Sequence, residues 1–361
     1  MRGCGSRQST PPINPLHSES IRYETNFYEW QALVHVAGLL GVSVLTNVRQ
    51  IRPPWPLLQS PEIDGVIEIN GRYILIEVKS YGLDRRDITE ILGKYQTLGH
   101  DELILVAPFF HSNVGLPRDV RPITFAPSLS KLADAYSSLP YLLPPALEEE
   151  LQNGEHHFRF VSAYRRRGEV ATFRNQVDKK IHSVSQVFRD INRQQQRGHL
   201  PVRVFWSVSR WLFPKELFFS SYSNYLVRRG LVFDIDGRKI HNPSSPCELR
   251  PGKTICERCL VCAKTMTLQL LRVLSSRGLS GLQVVFSGRQ GFHVYVLGCE
   301  LPEPEVASLV QEIAHCGLEI DSSITLDRKS IVTFPGSIHG LSMLRAVPVP
   351  DLETFDLDSL S

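Results

Sequence analysis

The chain is 361 residues long, a length that suits about two domains at roughly 150 residues each. Its 42% hydrophobic and 21% charged residues are those of an ordinary globular protein. No stretch reaches the ~18 uninterrupted apolar residues that a membrane span needs, which excludes a membrane protein: the most apolar run, Ala32 to Val48, is broken by His35, Thr46 and Asn47. The N-terminal MRGCGSRQST lacks the apolar core of a signal peptide, so a cytoplasmic protein is expected.

Forty Lys and Arg stand against 37 Asp and Glu, but the charge is uneven. Between His156 and Gly230 there are fifteen Lys or Arg and four Asp or Glu, alongside Trp206, Trp211, Tyr222 and Tyr225. That composition fits a polyanion-binding surface that also stacks bases, although a solvated helix face carries the same charge. Four of the seven cysteines, Cys247, Cys256, Cys259 and Cys262, fall within sixteen residues. With no export signal, this clustering favours a metal over a disulfide framework.

In chain order, residues 1–22 read as a polar, Pro-rich disordered tail. From Phe27 the apolar spacing predicts a helix to Leu40. Gly65 to Val78 holds two apolar runs about Asn70-Gly71, a strong hairpin signal. A helix around Asp87 to Leu98 and a strand from Leu103 to Ala107 follow. Residues 129–155, rich in proline and acid, read as a linker or bridging helix, and the basic stretch beyond as largely helical. Leu231 to Asp236 is a strand ending in acid. A cysteine loop over residues 241–262, a helix from Ala263, strands at Leu282 to Phe286 and Gly291 to Leu297, a helix from Glu305 to Cys316 and short closing strands complete the pattern.

Two constellations carry chemistry. Glu77 and Lys79 lie two apart at the end of an apolar strand, on one face, with Asp64 just before the partner strand. Two carboxylates can hold Mg²⁺ through oxygen ligands, and a lysine between them can orient or deprotonate an attacking water. Here the sequence resembles the PD-(D/E)xK nuclease superfamily, with Asp64 followed by Ile76-Glu77-Val78-Lys79, over roughly residues 23–128. Glu29 on the first helix matches the extra acidic residue of many members, and Lys94, Tyr95 and Gln96 fall on the helix that often adds polar groups.

The second constellation begins at Asp234 and Asp236, again two apart on a strand. Paired buried carboxylates repel one another unless a cation neutralises them, so a metal is their natural occupant. Downstream stand Ser287-Gly288-Arg289-Gln290-Gly291-Phe292-His293, a glycine turn that lets phosphate approach the backbone, and Asp321, then Phe334-Pro335-Gly336-Ser337-Ile338-His339. These ordered motifs resemble the small catalytic subunit of primases, the archaeo-eukaryotic primase superfamily, across residues 156–361. The resemblance implies Asp234, Asp236 and Asp321 as ligands of the catalytic Mg²⁺ or Mn²⁺, with Asp327 a less well spaced candidate. It also implies Ser287, Gly288, Arg289, His293 and His339 as triphosphate contacts. Two positions depart from it: Gln290 and Thr333 stand where relatives often carry a cation. Each lost contact weakens triphosphate binding by ~1–3 kcal/mol unless replaced, and Lys329 and Arg345 are the candidate replacements.

Cys256-x-x-Cys259 is a zinc half-site, since that spacing brings two thiolates to one tetrahedral ion. The resemblance implies a structural zinc knuckle held by Cys247, Cys256, Cys259 and either Cys262 or His241; an iron–sulfur cluster is the weaker alternative.

The expected fold is α/β or α+β: a restriction-endonuclease-like domain followed by a primase small-subunit-like domain with an RRM-like catalytic core. The expected function is synthesis of short nucleotide chains from nucleoside triphosphates on single-stranded or primed DNA, in replication or repair, with a fused metal-dependent DNA nuclease. A primase large subunit is a candidate partner. The alternatives are a nuclease whose primase-like domain only recognises nucleotides or ends, and a non-catalytic nucleic-acid-binding subunit.

Overall fold

A computed structural model of the chain describes residues 15–46, 63–96, 100–111, 115–127, 134, 136, 143–166, 169–176, 180–214, 225–240 and 247–356. Helix α1 (Pro15–Leu40) starts twelve residues before the expected Phe27, inside the stretch read as a tail. Its first turns lack apolar periodicity but also lack a breaker, and proline is well suited to a first helical position. Tyr28, Ala32, Leu33, Val36 and Ala37 are buried along one stripe. Gly41, at φ 65°, ends the helix, and the Val42 N–H returns to the Ala37 carbonyl.

Strands β1 (Val44–Thr46), β2 (Gly65–Ile69), β3 (Arg72–Val78), β4 (Glu102–Ala107) and β5 (Val120–Thr124) form the first sheet, with helix α2 (Arg85–Tyr95) crossing between β3 and β4. Asn70 and Gly71, at φ 52° and 76°, make the two-residue hairpin turn that joins β2 to β3, with Ile69 opposite Arg72. Strands β3, β4 and β5 run parallel. Alternate residues divide the sheet's faces: Ile76, Val78, Ile104 and Val106 pack with α1, while Leu75, Leu103 and Leu105 pack with Ile88, Ile91 and Tyr95 of α2. Glu77 has the parity of Leu75 and therefore faces α2.

The basic segment is mainly strand, not helix. Strands β6 (Phe158–Arg166), β7 (Glu169–Gln176) and β8 (Leu200–Ser207) are joined, among the described residues, by one helix, Val184–Gln196, between β7 and β8. The alternation of aromatic and β-branched residues in FRFVSA and LPVRVFWS outweighs the charge. Trp206 and Trp211 are each 1% exposed and belong to the core, so neither offers a face to bases; Tyr222 lies outside the described residues. A short pair, β9 (Arg210–Trp211) and β10 (Leu226–Arg228), leads into β11 (Leu231–Asp236).

After β11 come β12 (Cys247–Leu249), the helix Glu257–Ser276, β13 (Leu282–Phe286), β14 (Gly291–Val296), the helices Glu303–His315 and Ser322–Leu326, and the short strands β15 (Ile331–Thr333), β16 (Ile338–His339), β17 (Leu344–Arg345) and β18 (Val347–Pro348). Two four-stranded sheets result, ordered β11-β14-β13-β18 and β15-β8-β6-β7. Phe233, Ile235, Phe286 and Phe292 pack beneath the two longer helices. On the opposite face Val232, Val285 and Tyr295 join the cluster that holds Trp206 and Phe334 of the other sheet. Asp234 and Asp236 share the parity of Val232, so they lie on this inter-sheet face at the end of β11.

The two parts interlock. β12, from the cysteine loop, pairs with β1 (Val44 opposite Leu249, Thr46 opposite Cys247) and becomes the edge of the N-terminal sheet. From α1, Trp30 Nε1 donates to the Thr254 carbonyl at 2.9 Å, and Gln31 Nε2 donates to the carbonyls of Gly340 at 3.1 Å and Leu341 at 2.6 Å. Chemical unfolding is therefore expected to proceed in one cooperative transition. Leu33→Ala, at a site with no exposed surface, should lower its stability by about 2–5 kcal/mol without splitting it. Two separable transitions in urea, followed by circular dichroism and tryptophan fluorescence, would contradict the interlock.

Candidate functional sites

The cleft at the ends of β11 and β14 is lined by Arg203, Asp234, Asp236, Ser287, Arg289, Gln290, Gly291, His293 and His339. Strand register builds it: Asp234 lies opposite His293 and Asp236 opposite Gly291. His293 Nε2 is 3.5 Å from Asp234 Oδ1. Both histidines are neutral. Burial, reinforced by the Arg203 charge, holds His293 at about 3, and the same two causes with Arg289 keep His339 well below its ordinary value. Their Nδ1 atoms are buried with no hydrogen-bond partner among the described residues.

The turn between β13 and β14 is closed by the Ser287 N–H on the Gly291 carbonyl at 2.9 Å. Gly288 sits at φ 87°, and a Cβ there would lie 2.8 Å from His339 Cβ, so only glycine lets the two motifs touch. Gly237 is equally tight: a Cβ would meet the Cys259 carbonyl oxygen at 1.9 Å, which ties the aspartate strand to the cysteine loop.

Asp321 stands beside Asp234 through the backbone, its N–H donating to the Asp234 carbonyl at 2.8 Å. Its carboxylate caps the helix Ser322–Leu326, accepting from the Ser323 hydroxyl at 2.5 Å and N–H at 3.2 Å. Asp327 instead accepts from the Lys329 N–H in the next turn.

Of the two departures, Gln290 is buried, at 2% exposure, and brings no charge. Thr333 is met by a cation from another strand. Its Oγ1 accepts from Arg203 Nε at 3.1 Å and Nη2 at 2.9 Å, so Arg203 of β8 places a guanidinium in the cleft. Neither Lys329 nor Arg345 lines the cleft; Arg345 Nη1 donates to the Gly336 carbonyl at 2.6 Å. Sequence reading missed Arg203, whose one signal was a lone cation between Val202 and Val204 in an apolar strand.

The second acidic group lies between β3 and α2. Glu77, 2% exposed, receives Lys79 Nζ at 2.6 Å, Lys94 Nζ at 3.1 Å and the Tyr95 hydroxyl. The Val78 N–H donates to Asp64 Oδ2 at 2.7 Å. Burial, then the charges of Glu77 and Glu29, push Asp64 up to about 8, against the Val78 hydrogen bond and Lys79. Burial draws Lys79 down, but the hydrogen bond and charge of Glu77 and the charge of Asp64 raise it on balance. The structure thus brings Glu77, Lys79, Lys94 and Tyr95 into contact, with Asp64 on the Val78 N–H and Glu29 near enough for its charge to bear on Asp64; Gln96 is exposed at the end of α2.

Cys247, Cys256 and Cys259 are buried together, with Cys247 and Cys259 Sγ 3.5 Å apart. Among the described residues, theirs are the only three metal-ligand side chains whose donor atoms all fall within 4.8 Å of one another. The carboxylates of neither acidic site gather that closely. Hydrogen bonds from Cys247 and Cys259 hold the Cys256 thiol well below its usual value, and those from Cys247 and Cys256 push Cys259 well above its own. Such proton sharing suits thiolates that meet one cation. Cys262, one turn along the helix Glu257–Ser276, stands outside the trio. His241 lies outside the described residues.

No protein-family model matches the chain. It is 29% identical over 217 residues to the DNA primase small subunit PriS of Pyrobaculum calidifontis, across 45% of this chain and 66% of that protein. The Pyrobaculum islandicum protein of the same name is 30% identical over 169 residues, across 34% and 53%. That of Saccharolobus solfataricus is 27% identical over 231 residues, across 49% and 66%. The chain thus spans between about half and two thirds of the length of the curated relatives it matches. Among solved structures it is similar to the polymerase domain from Mycobacterium tuberculosis Ligase D in complex with DNA, at 14% identity and TM-score 0.34, across 62% of this chain and 82% of that one.

Asp64 gives a pH test. In the unfolded chain its carboxyl ionises near pH 4, whereas in the fold it keeps its proton to about pH 8. The folded state binds the extra proton between these values, so this group lowers stability as pH rises across that window. In metal-free buffer the urea midpoint of Asp64→Asn, taken relative to the parent, should be higher at pH 8 than at pH 5; the same difference at both pH values would contradict the shift.

Proposed function

We propose that the chain is a metal-dependent nucleotidyltransferase of the primase-polymerase kind, extending or starting short nucleotide chains on single-stranded or primed DNA, with a fused metal-dependent DNA nuclease. The observation that carries the reading is the cleft that joins Asp234 and Asp236 to a glycine turn, two neutral histidines and two arginines. The similarity to primase small subunits supports it.

The donor set fits divalent metal. Asp234 and Asp236 are half-buried on one face, a pairing of like charges that a hard cation relieves. Those two, with Asp321, would hold Mg²⁺ or Mn²⁺, which when bound supplies activation of the attacking 3′-hydroxyl and neutralisation of the leaving pyrophosphate. The chain's own groups do the rest. Ser287 and Gly288 let the triphosphate approach the backbone, and Arg289 and Arg203 offer charged donors to its oxygens. Neutral His293 and His339 add N–H donors without adding positive charge beside the metals. The 3′-oxygen then bonds to the α-phosphorus as its bond to pyrophosphate breaks. Arg203 supplies the charge that Thr333 lacks, and the aspartates, which a pure recognition module does not need, favour polymerase activity over mere nucleotide recognition.

At the other site three carboxyl groups, Glu29, Asp64 and Glu77, stand with the two lysines Lys79 and Lys94. Burial and the charges of Glu77 and Glu29 hold the proton on Asp64, a cost that a divalent cation among these acids would relieve. Lys79, half-exposed beside Glu77, is placed to orient the water that attacks a phosphodiester. The cysteine trio suits a structural zinc ion.

Incorporation on primed and unprimed single-stranded DNA with Mg²⁺ or Mn²⁺ tests the polymerase, in a Lys79→Ala background that spares the template. Asp236→Ala should reduce product at least about a hundredfold. Arg203→Ala should raise the nucleotide KM about 10- to 100-fold with little change in kcat. Unchanged product in Asp236→Ala would contradict the polymerase site. DNA cleavage by Lys79→Ala at the parent's rate would contradict the nuclease site.

A further inference from the structure

The glycine turn of the nucleotide cleft is not completed by its own domain. The Arg289 guanidinium carbon lies 4.3 Å from the ring centroid of Trp30, a residue of α1. Trp30 is 5% exposed, and its indole is fixed by the 2.9 Å hydrogen bond from Nε1 to the Thr254 carbonyl, two residues before Cys256. The next residue, Gln31, binds the carbonyls of Gly340 and Leu341, directly after His339. Consecutive residues of one helix therefore brace two of the elements that line the cleft.

We propose that Trp30 is a positioning residue of the nucleotide site, holding the Arg289 guanidinium by its face so that its in-plane N–H groups are presented to phosphate. The inference rests on the nucleotide-binding reading of this cleft. An arginine side chain in solvent samples many rotamers; a guanidinium stacked on an indole keeps its plane while its edge stays available for bidentate bonding to phosphate oxygens. Trp30 belongs to the core cluster that holds Leu33 and Val36, so the indole that meets Arg289 is itself held by packing. The cysteine loop is the third partner, because Thr254 sets the indole's plane. The N-terminal part of the chain thus contributes to nucleotide affinity without touching the nucleotide.

The test is isothermal titration of the full chain with dATP and with ATP in Ca²⁺ buffer, for the parent, Trp30→Leu, Arg289→Ala and the double variant, with thermal melting to establish folding. Trp30→Leu should weaken binding about 3- to 30-fold, and should add nothing once Arg289 is alanine. In incorporation assays the loss should appear in KM and not in kcat. Unchanged affinity in Trp30→Leu, or an equal loss on top of Arg289→Ala, overturns the inference and makes the indole a core filler. Should the leucine variant fail to fold, Trp30→Met, whose flexible side chain fills irregular space, is read by the same criteria. If the parent binds neither nucleotide, the reading of the cleft itself fails, and this inference with it.

Discussion

Helix α1 has to satisfy two surfaces at once, and the placement of both candidate sites follows from that constraint. Leu33, Val36 and Ala37 bury against the N-terminal sheet. Glu29 bears on Asp64, Trp30 stacks on Arg289 and Gln31 closes on the turn after His339. One helical turn spreads side chains around its full circumference, so neighbouring residues reach different partners. The pairing of β12 with β1 binds the same two parts from the other side, through backbone hydrogen bonds that do not depend on side-chain identity.

The two acidic sites handle the same electrostatic problem differently. In the cleft, Asp234 and Asp236 face a site with two arginines and neutral imidazoles, so positive charge is held nearby without an ammonium bonded to the carboxylates. Between β3 and α2, Glu77 is wrapped by two lysines and a phenol, while burial and the charges of Glu77 and Glu29 leave Asp64 holding its proton. The first arrangement leaves room for a large anionic ligand; the second is compact. That contrast fits the two ligands proposed, a triphosphate in one and a single phosphodiester in the other.

Much of this was legible in the sequence because its signals are local. Asn70-Gly71 specifies its own hairpin, the two-residue spacing of Glu77 with Lys79 and of Asp234 with Asp236 fixes a shared face, and the helix, hairpin, helix and strand came in the expected order. What escaped depends on long-range pairing. Arg203 meets Thr333 across 130 positions and Trp30 meets Thr254 across 224; no short-range pattern marks either. The basic segment was misread because its charge hid a period-two alternation, and its tryptophans proved to be core. Cys262 falls outside the cysteine trio although it is one helical turn from Cys259, a distinction the spacing does not carry.

The central claim is that the acid pair on β11 and the glycine turn between β13 and β14 form one metal and triphosphate site. Crystals of the chain grown with Mn²⁺ and a non-hydrolysable deoxynucleoside triphosphate, recorded at the manganese absorption edge, test it most directly. The account predicts an anomalous peak between Asp234 and Asp236, with the triphosphate lying across Ser287, Arg289 and Arg203. Manganese absent from that pair, or a nucleotide bound elsewhere, would contradict it.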